Sequence, residues 1–486
     1  MKGRFFGGVH PPDRKALSAG VVPIPAEPPA QVKIPLQQHI GVPCRALVAV
    51  GEQVLCYQKI GDGDGLCVPV HASVSGRVVA IQPSAHVSGR MVEAIVIEND
   101  FLDTPAPLHP ATGEEPEQVL RAIREAGIVG MGGAAFPGNV KALSALGQVD
   151  TLIGNACECE PYITADDALL RMDARRVLEG LGILAKLLRP EKVILAVEDN
   201  KPEAIRQVEA VLVEFPGIRL QVLPTRYPQG AEKQLIYALT GREVPPGKLP
   251  VAVGCGVFNV STCAAIARAV HEGIPLTERI VTVSGEAVAS PGNFVVRIGT
   301  PFRQLLEAAQ WQEGSQHRVI SGGPMMGRAQ EDLSVPVVKA TNCVLCLPEE
   351  KTEANQACLR CGRCVVVCPM RLQPLYLYRY VQTGDVQRME ELHLQDCLEC
   401  GCCSFGCPGK LPLVEHFRRG KQKLREERGS DGKQIRLPPY AGKYKNQPPD
   451  AGCGAGAGAV FAGRGVAAGD PGFGGGSGGD ACGAWQ

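Results

Sequence analysis

Several hydrophobic patterns follow one another along the chain. Up to about residue 104, short β-branched runs such as V-L-C-Y-Q-K-I, V-S-G-R-V-V-A-I and M-V-E-A-I-V-I-E are separated by Pro and Gly, which predicts small strands and turns. A helical period then appears in P-E-Q-V-L-R-A-I-R-E-A-G. Further on, V-D-T-L-I-G-N, V-I-L-A-V-E and I-R-L-Q-V-L read as strands, and V-L-E-G-L-G-I-L-A-K-L-L and P-E-A-I-R-Q-V-E-A-V-L between them as helices. That alternation predicts a parallel sheet. The most apolar run, 251–270, contains Asn, Ser, Thr, Arg and two Gly, so it reads as a buried strand, turn and helix rather than a membrane span. Strand patterns return in R-I-V-T-V-S-G-E-A-V and N-F-V-V-R-I-G-T, followed by a helix in P-F-R-Q-L-L-E-A-A. From about 430 the composition turns to Gly, Ala and Pro, which cannot bury enough apolar surface to order a chain.

Composition changes this picture in three ways. A length of 486 residues predicts three or four domains. Lys+Arg and Asp+Glu both total 50, and the zero net charge gives no sign of a nucleic-acid partner. Twenty cysteines would suit a secreted disulfide framework, but eight have a better use, and residues 1–8 carry charge without an apolar signal core. A reducing cytosol is the expected compartment.

Those eight cysteines lie in C-L-R-C-G-R-C-V-V-V-C-P and C-L-E-C-G-C-C-S-F-G-C-P. Each is Cys-x2-Cys-x2-Cys-x3-Cys-Pro, the spacing of a bacterial two-cluster ferredoxin, in which the fourth cysteine reaches across to the other cube. The expected ligands of one [4Fe-4S] cluster are Cys358, Cys361, Cys364 and Cys407; those of the other are Cys397, Cys400, Cys403 and Cys368. Gly362 and Gly401 let the backbone pass close to the sulfides. A pair of structural zinc sites is the alternative, but zinc needs neither the crossed cysteine nor the repeated Cys-Pro. Cys402 sits off the pattern and reads as a spectator. Cys343 and Cys346 form a lone Cys-x2-Cys, for which an inert reading is favoured.

Two loops carry the other candidate chemistry. Residues 127–141, G-I-V-G-M-G-G-A-A-F-P-G-N-V-K, place a glycine cluster before a helix, where backbone N–H groups can meet an anion. The glycine spacing is not that of the dinucleotide fingerprint. N-A-C-E-C-E-P-Y, 155–162, follows a predicted strand, at the end where open α/β sheets bind ligands. Its Glu158 and Glu160 suit ribose or ribityl hydroxyls; a solvated acidic loop is the plainer alternative. S-G-G-P-M-M-G, 321–327, reads as a turn.

V-H-A-S-V-S-G-R-V-V-A-I resembles the lipoyl and biotinyl carrier domains, a sandwich of two small sheets, but lacks a carrier lysine at a matching hairpin tip, so the domain reads as structural. Over residues 1–425 the chain resembles the RnfC family, which supplies one component of the Rnf ion-translocating electron-transport complex. F-G-G-V-H-P-P, G-M-G-G-A-A-F-P, N-A-C-E-C-E-P-Y, R-Y-P-Q-G-A-E-K-Q-L-I-Y-A-L-T-G-R-E-V-P and the double cysteine motif follow in that family's order. The middle is also similar to the NADH-binding flavoprotein of respiratory complex I. These resemblances imply FMN and NAD(H) as cofactors beside the two clusters. They place Gly130, Gly132, Gly133, Ala134, Phe136 and Lys141 at the flavin and nucleotide phosphates, and Asn155, Glu158 and Glu160 at the flavin. Tyr227, Gly230 and Glu232 match the loop near the isoalloxazine, and Asn259 and Thr262 the loop by the FMN phosphate. Ala135 stands where the loop usually has Gly and Gly138 where it usually has Thr; a methyl at 135 is expected to crowd an approaching nucleotide.

The implied architecture is multidomain α/β plus β. It comprises a barrel-sandwich-like domain at 1–104, an α/β flavin/nucleotide domain at 105–275, a β-grasp domain at 276–335, a two-cluster ferredoxin-like domain at 340–425 and a disordered tail at 430–486. The implied function is electron transfer between NADH, FMN and two [4Fe-4S] clusters. The expected partners are membrane subunits of the same complex, with ferredoxin as a further one, and the expected location is the cytoplasmic side of the cell membrane, held peripherally. A soluble flavin and iron–sulfur cobalamin reductase, or a ferredoxin-type carrier without active flavin, are the competing readings.

Overall fold

The computed structural model describes residues 3–311, 317–349 and 357–428. The expectation of a disordered 430–486 tail lies outside these residues. In the N-terminal region, strands Gln31–Pro35, Met91–Asn99, Gly76–Ala85 and Gln53–Val54 form an antiparallel sheet, and Arg45–Ala46, Lys59–Asp62 and Val70–His71 a second one. Val32, Ile34 and Ile97 from the first sheet share a core with Ile60 and Val70 from the second. That core continues without a break into the next region through Val119, Ile123 and Ile128.

The alternating segments form a four-stranded, fully parallel sheet in the order Ile218–Leu223, Lys192–Glu198, Thr151–Ala156, Cys255–Asn259. The chain moves outward from Thr151–Ala156 in one direction and returns to its other side with Cys255–Asn259. The strand order therefore reverses between those two, the position where open α/β sheets hold ligands. Helix Ala165–Leu188 crosses helix Val260–Glu272 so closely that a Cβ at Gly180 would collide with the carbonyl of Cys263.

A third sheet is mixed and has six strands: Ile24–Pro25, Gly292–Arg297, Glu278–Ser284, Cys343–Pro348, His317–Ser321 and Arg328–Gln330. Helix Phe302–Ala308 packs into its core through Phe302, Leu305 and Leu306. Two of these strands cross the expected boundaries, because Ile24–Pro25 lies within 1–104 and Cys343–Pro348 within 340–425. Ile24–Pro25 pairs with Gly292–Arg297, and Cys343–Pro348 pairs with Glu278–Ser284 and His317–Ser321. Cys343 and Cys346 are consequently buried strand residues belonging to two different hydrophobic clusters, as expected of positions three apart on a pleated strand. They cannot hold one ion between them, which accords with the inert reading. The last region is helical and packs Leu377, Met389, Leu394, Phe417 and Leu424 around the cysteine motifs. No helix among the described residues is long and apolar enough to cross a membrane.

The helix crossing is testable with two glycines of one helix. A Cβ at Gly182 meets nothing within 4 Å. Gly182→Ala should raise stability by about 0.5–1 kcal/mol through helix propensity. Gly180→Ala gains the same propensity but overpacks a backbone carbonyl, which costs roughly 3 kcal/mol at such close range. The thermal midpoint should rise for the first variant and fall for the second.

Candidate cofactor sites

The two cysteine motifs repeat one backbone course. Arg360 and Glu399 have φ of 54° and 56°, and Gly362 and Gly401 have 75° and 80°. Each glycine opens a short helix, Arg363–Val366 or Cys402–Phe405, and the last cysteine of each motif follows that helix. Cys358, Cys361, Cys364 and Cys407 line one cavity. Cys397, Cys400 and Cys403 line a second, together with Cys368 from the first motif. The exchange of the fourth cysteine is thus a property of the fold. In the outer cavity Cys358 and Cys361 are exposed; in the inner one Cys368, Cys400 and Cys403 are buried.

The donor chemistry fits [4Fe-4S] cubes: four thiols converge on each cavity, and backbone N–H groups of Leu372 and Glu399 donate to the sulfurs of Cys368 and Cys397 at 3.4 and 3.3 Å. Burial pushes the Cys397 thiol up to about 12 and raises Cys368 as well. Four thiolates in that position therefore require a compensating cation. Cys402 is not a bystander. It is buried and lines the inner cavity with Cys400, whose pKa is lowered chiefly by the neighbouring Cys402 thiol.

The second candidate site lies at the strand-order reversal. Asn155 and Asn259 are paired residues at the carboxyl ends of the two neighbouring parallel strands. Asn259 caps helix Val260–Glu272 by accepting from the N–H groups of Ser261 and Thr262, and its amide donates to Asp166 at 2.7 Å. Asn155 donates to the carbonyl of Gly230 at 2.9 Å and accepts from Cys157 N–H. The glycine loop meets this edge where Met131 N–H donates to the Thr262 hydroxyl at 2.9 Å. It closes on itself, with Gly130 N–H donating to Phe136 O at 2.8 Å. Its tip, Gly132, Gly133 and Ala134, is exposed, and a Cβ at Gly133 would meet nothing within 4 Å. An open tip above a capped helix N-terminus is a cradle that fits a phosphate. Lys141 and Glu232 pair with each other at 2.6 Å, with the Lys141 ammonium 5.5 Å from the Phe258 ring centre.

Ala135 behaves differently from the expectation of crowding. Its φ is 48°, the left-handed conformation that explains a glycine preference there. Its methyl, however, belongs to the buried core and does not point into the cradle.

The carboxylates of the acidic loop are engaged inside the protein. Glu158 is buried and accepts from Asp166 and Asp167 N–H at 2.8 and 3.4 Å, so its carboxylate caps helix Ala165–Leu188. Glu160 accepts from Met325 N–H at 3.2 Å, and its other carboxylate oxygen lies 3.5 Å from the Tyr227 hydroxyl oxygen. Burial pushes both carboxyls up to about 7. Tyr227 donates to the Cys400 carbonyl at 2.7 Å. Glu160 and Tyr227 therefore stand between the parallel-sheet region and the inner cysteine cavity.

Sequence reasoning missed several residues here. Buried Lys15 donates to Glu160 O at 2.9 Å and to Ile163 O. Asp166 receives Asn259 and the Ser261 hydroxyl. Arg279, held down to about 10 by burial, points a guanidinium N–H at Met131 O. The motif F-G-G-V-H-P-P is a strap. Val9 pairs with Tyr227 through both backbone bonds, and Gly8 N–H donates to Val367 O at 2.9 Å. A Cβ on Gly7 would sit 2.6 Å from Cys368 O, and one on Gly8 2.6 Å from Tyr227 O. Two adjacent glycines were the available signal of so close an approach.

Known protein families divide along the same layout. Residues 3–102 match the family described as the RnfC barrel sandwich hybrid domain, 123–268 the Nuo51 FMN-binding domain, 280–329 the SLBB domain and 351–423 the 4Fe-4S dicluster domain. The RnfC-type component of the ion-translocating oxidoreductase complex of Haemophilus influenzae strain PittEE is 43% identical over 89% of this chain and 68% of its own length. This chain belongs to the RnfC family. The RnfC relative from Serratia proteamaculans is 44% identical over 87% of this chain, which spans 61% of that relative. Among solved structures, NAD+-reducing [NiFe]-hydrogenase in the air-oxidized state is similar at 21% identity and TM-score 0.47, over 65% of this chain and 64% of that one. That likeness is too loose to carry a reading of this RnfC chain.

The strap is testable. Gly7→Ala and Gly8→Ala each add a left-handed cost of about 1–2 kcal/mol and a backbone clash of about 1–3 kcal/mol. Gly20, with φ 83° and nothing within 4 Å of a Cβ, adds the first term alone. Thermal midpoints should therefore fall further for Gly7→Ala and Gly8→Ala than for Gly20→Ala.

Proposed function

We propose that this RnfC chain is the electron-entry component of a membrane-bound, ion-translocating oxidoreductase, carrying electrons between NADH and membrane partner subunits. The observation that carries the reading is the pair of all-cysteine cavities, one tied to the FMN-binding domain and one open to the surface. FMN bound at the strand-order reversal would supply the exchange between a two-electron donor and one-electron [4Fe-4S] acceptors.

The chain's own residues supply the arrangement. Gly132, Gly133 and Ala134 would offer donors to a phosphate in the loop that Gly130 closes, beside the helix N-terminus at Asn259 and Thr262, and Lys141, paired with Glu232, belongs to the same phosphate surroundings in this reading. Phe136, Asn155, Gly230 and Glu232 form the rest of the flavin surroundings in this reading, and an adjoining place takes NAD(H). Cys397, Cys400, Cys403 and Cys368 hold the inner cluster, one hydrogen bond from Tyr227 and one residue from the Glu160 contact. Cys358, Cys361, Cys364 and Cys407 hold the outer cluster, whose exposed Cys358 and Cys361 face a partner. The partners are the membrane subunits of the complex, with ferredoxin a further one, and the chain sits peripherally on the cytoplasmic side. The six-stranded sheet with its helix is read as a β-grasp domain, with one strand borrowed from each end of the expected boundaries.

Two measurements test the proposal. Anaerobically purified protein should contain non-covalent FMN beside its iron, and NADH should bleach first the flavin and then the cluster absorbance. Full iron content without flavin, with an unchanged spectrum after NADH, would put a ferredoxin-type carrier in its place. Replacing Cys368 with Ser should abolish the EPR signal of the cluster held by Cys397, Cys400 and Cys403. Loss of the other signal would refute the crossed assignment.

A further inference from the structure

A third group of metal-ligating side chains lies away from both cysteine cavities. His39 and Cys44, five residues apart, meet Cys67 from a second segment of the N-terminal sandwich, and the three are 5%, 4% and 2% exposed. Their ligand atoms lie within 4.8 Å of one another. Cys44 Sγ is 3.4 Å from Cys67 Sγ and 3.9 Å from His39 Nε2. Among the described residues this is the one group of three His, Cys, Asp or Glu side chains meeting at that range.

Two features distinguish it from a chance cluster of core side chains. The imidazole tautomer is set by the backbone: Val68 N–H donates to Nε2 at 3.3 Å, so the ring proton is on Nδ1, which donates to Ile40 O at 3.3 Å. A carbonyl on the far nitrogen is the usual way a protein orients a metal-binding histidine. Gly63 also leaves the second sulfur uncovered, since a Cβ there would sit only 3.1 Å from Cys67 Sγ.

We infer that His39 Nε2, Cys44 Sγ and Cys67 Sγ form a zinc site, with the fourth position left to a water or to the Val68 carbonyl, 3.2 Å from Cys44 Sγ. The balance is simple: two thiols lose their protons to solvent as Zn2+ binds, giving a neutral site. Binding takes the Nε2 lone pair from the Val68 N–H. That bond is long and neutral, and its loss is small beside the affinity of structural zinc for thiolates and imidazole. Two thiolates and an imidazole select a soft d10 ion over Mg2+ or Ca2+.

The site would lock one loop in place. His39 and Cys44 bracket a segment already held to the loop before Val68, since Val42 N–H donates to Leu66 O at 3.0 Å and a Cβ at Gly41 would collide with that carbonyl. Ile40, within the segment, donates its N–H to Ala135 O at 3.1 Å. Ala135 is in the base of the glycine loop. Zinc at His39 would thus brace the loop at the strand-order reversal from a distance.

The test uses the full-length protein with its iron sites filled, so that vacant cluster cysteines cannot take up zinc. After washing with EDTA, elemental analysis should find about one zinc per chain, and metal-edge absorption spectroscopy two sulfurs and one nitrogen as protein ligands. Cys44→Ser and Cys67→Ser should lose the zinc while keeping full iron. A wild type that holds full iron but no zinc overturns the site, as does a Cys44–Cys67 disulfide found by mass spectrometry in the anaerobic protein. So does zinc that persists in both variants. Because the wild-type measurement stands alone, the outcome does not depend on either variant folding.

Discussion

Contact between backbone and backbone, with no side chain between, holds the N-terminal strap against the inner cysteine motif and the Tyr227 loop. Gly7 rests on the carbonyl of Cys368 and Gly8 on that of Tyr227, while Val9 runs alongside Tyr227 as a one-residue bridge. Both glycines lie closer to those carbonyls than any residue with a side chain allows. Through them the inner cysteine set is held at a fixed distance from the loop that contains Tyr227, and Tyr227 in turn bonds to Cys400. The strap makes this connection through backbone alone, without using a flexible side chain.

Behind the strap lies an interior with an unusual amount of charge. Lys201 and Glu198 pair at 3.1 Å with almost no exposure. Lys15, Glu158 and Arg279 are buried nearby, Asp166 is half-buried beside them, and they feel one another's charge. Burying a single member alone would cost several kcal/mol. Together they balance, and each donor is spent on a backbone carbonyl or a neighbouring carboxylate. The group gives the chain a rigid polar floor beneath the carboxyl ends of the parallel strands. Removing one partner should therefore matter more than its distance from any exposed surface implies.

Much of this was legible in the residues. The alternation of strands and helices from Thr151 to Leu223 is present in the parallel sheet, because the strands are rich in Val, Ile and Leu and each helix keeps a 3.6-residue period. The cysteine spacing also carried its own geometry, since three closely spaced thiols wrap one point and the fourth must leave it. What could not be read was anything depending on partners distant in sequence. Glu158 looks like a solvent-facing acid in N-A-C-E-C-E-P-Y but caps a helix that starts seven residues later. Strand Cys343–Pro348 looks like an approach to the cysteine motifs until its neighbours at 278–284 and 317–321 are known. His39, Cys44 and Cys67 share no local motif, and only the closure of the sandwich brings them together.

The position of strand Cys343–Pro348 bears on how the chain is made. It pairs on one side with Glu278–Ser284 and on the other with His317–Ser321, so it fills the middle of its sheet although it is the last of the six strands to be synthesised. Until it leaves the ribosome, both neighbours present open hydrogen-bonding edges. Ile24–Pro25, at the opposite end of the sheet, must meanwhile wait for Gly292–Arg297. Pairings this distant in sequence are slow to form, and the half-built sheet is the point at which a nascent chain would be most prone to pair with a neighbour.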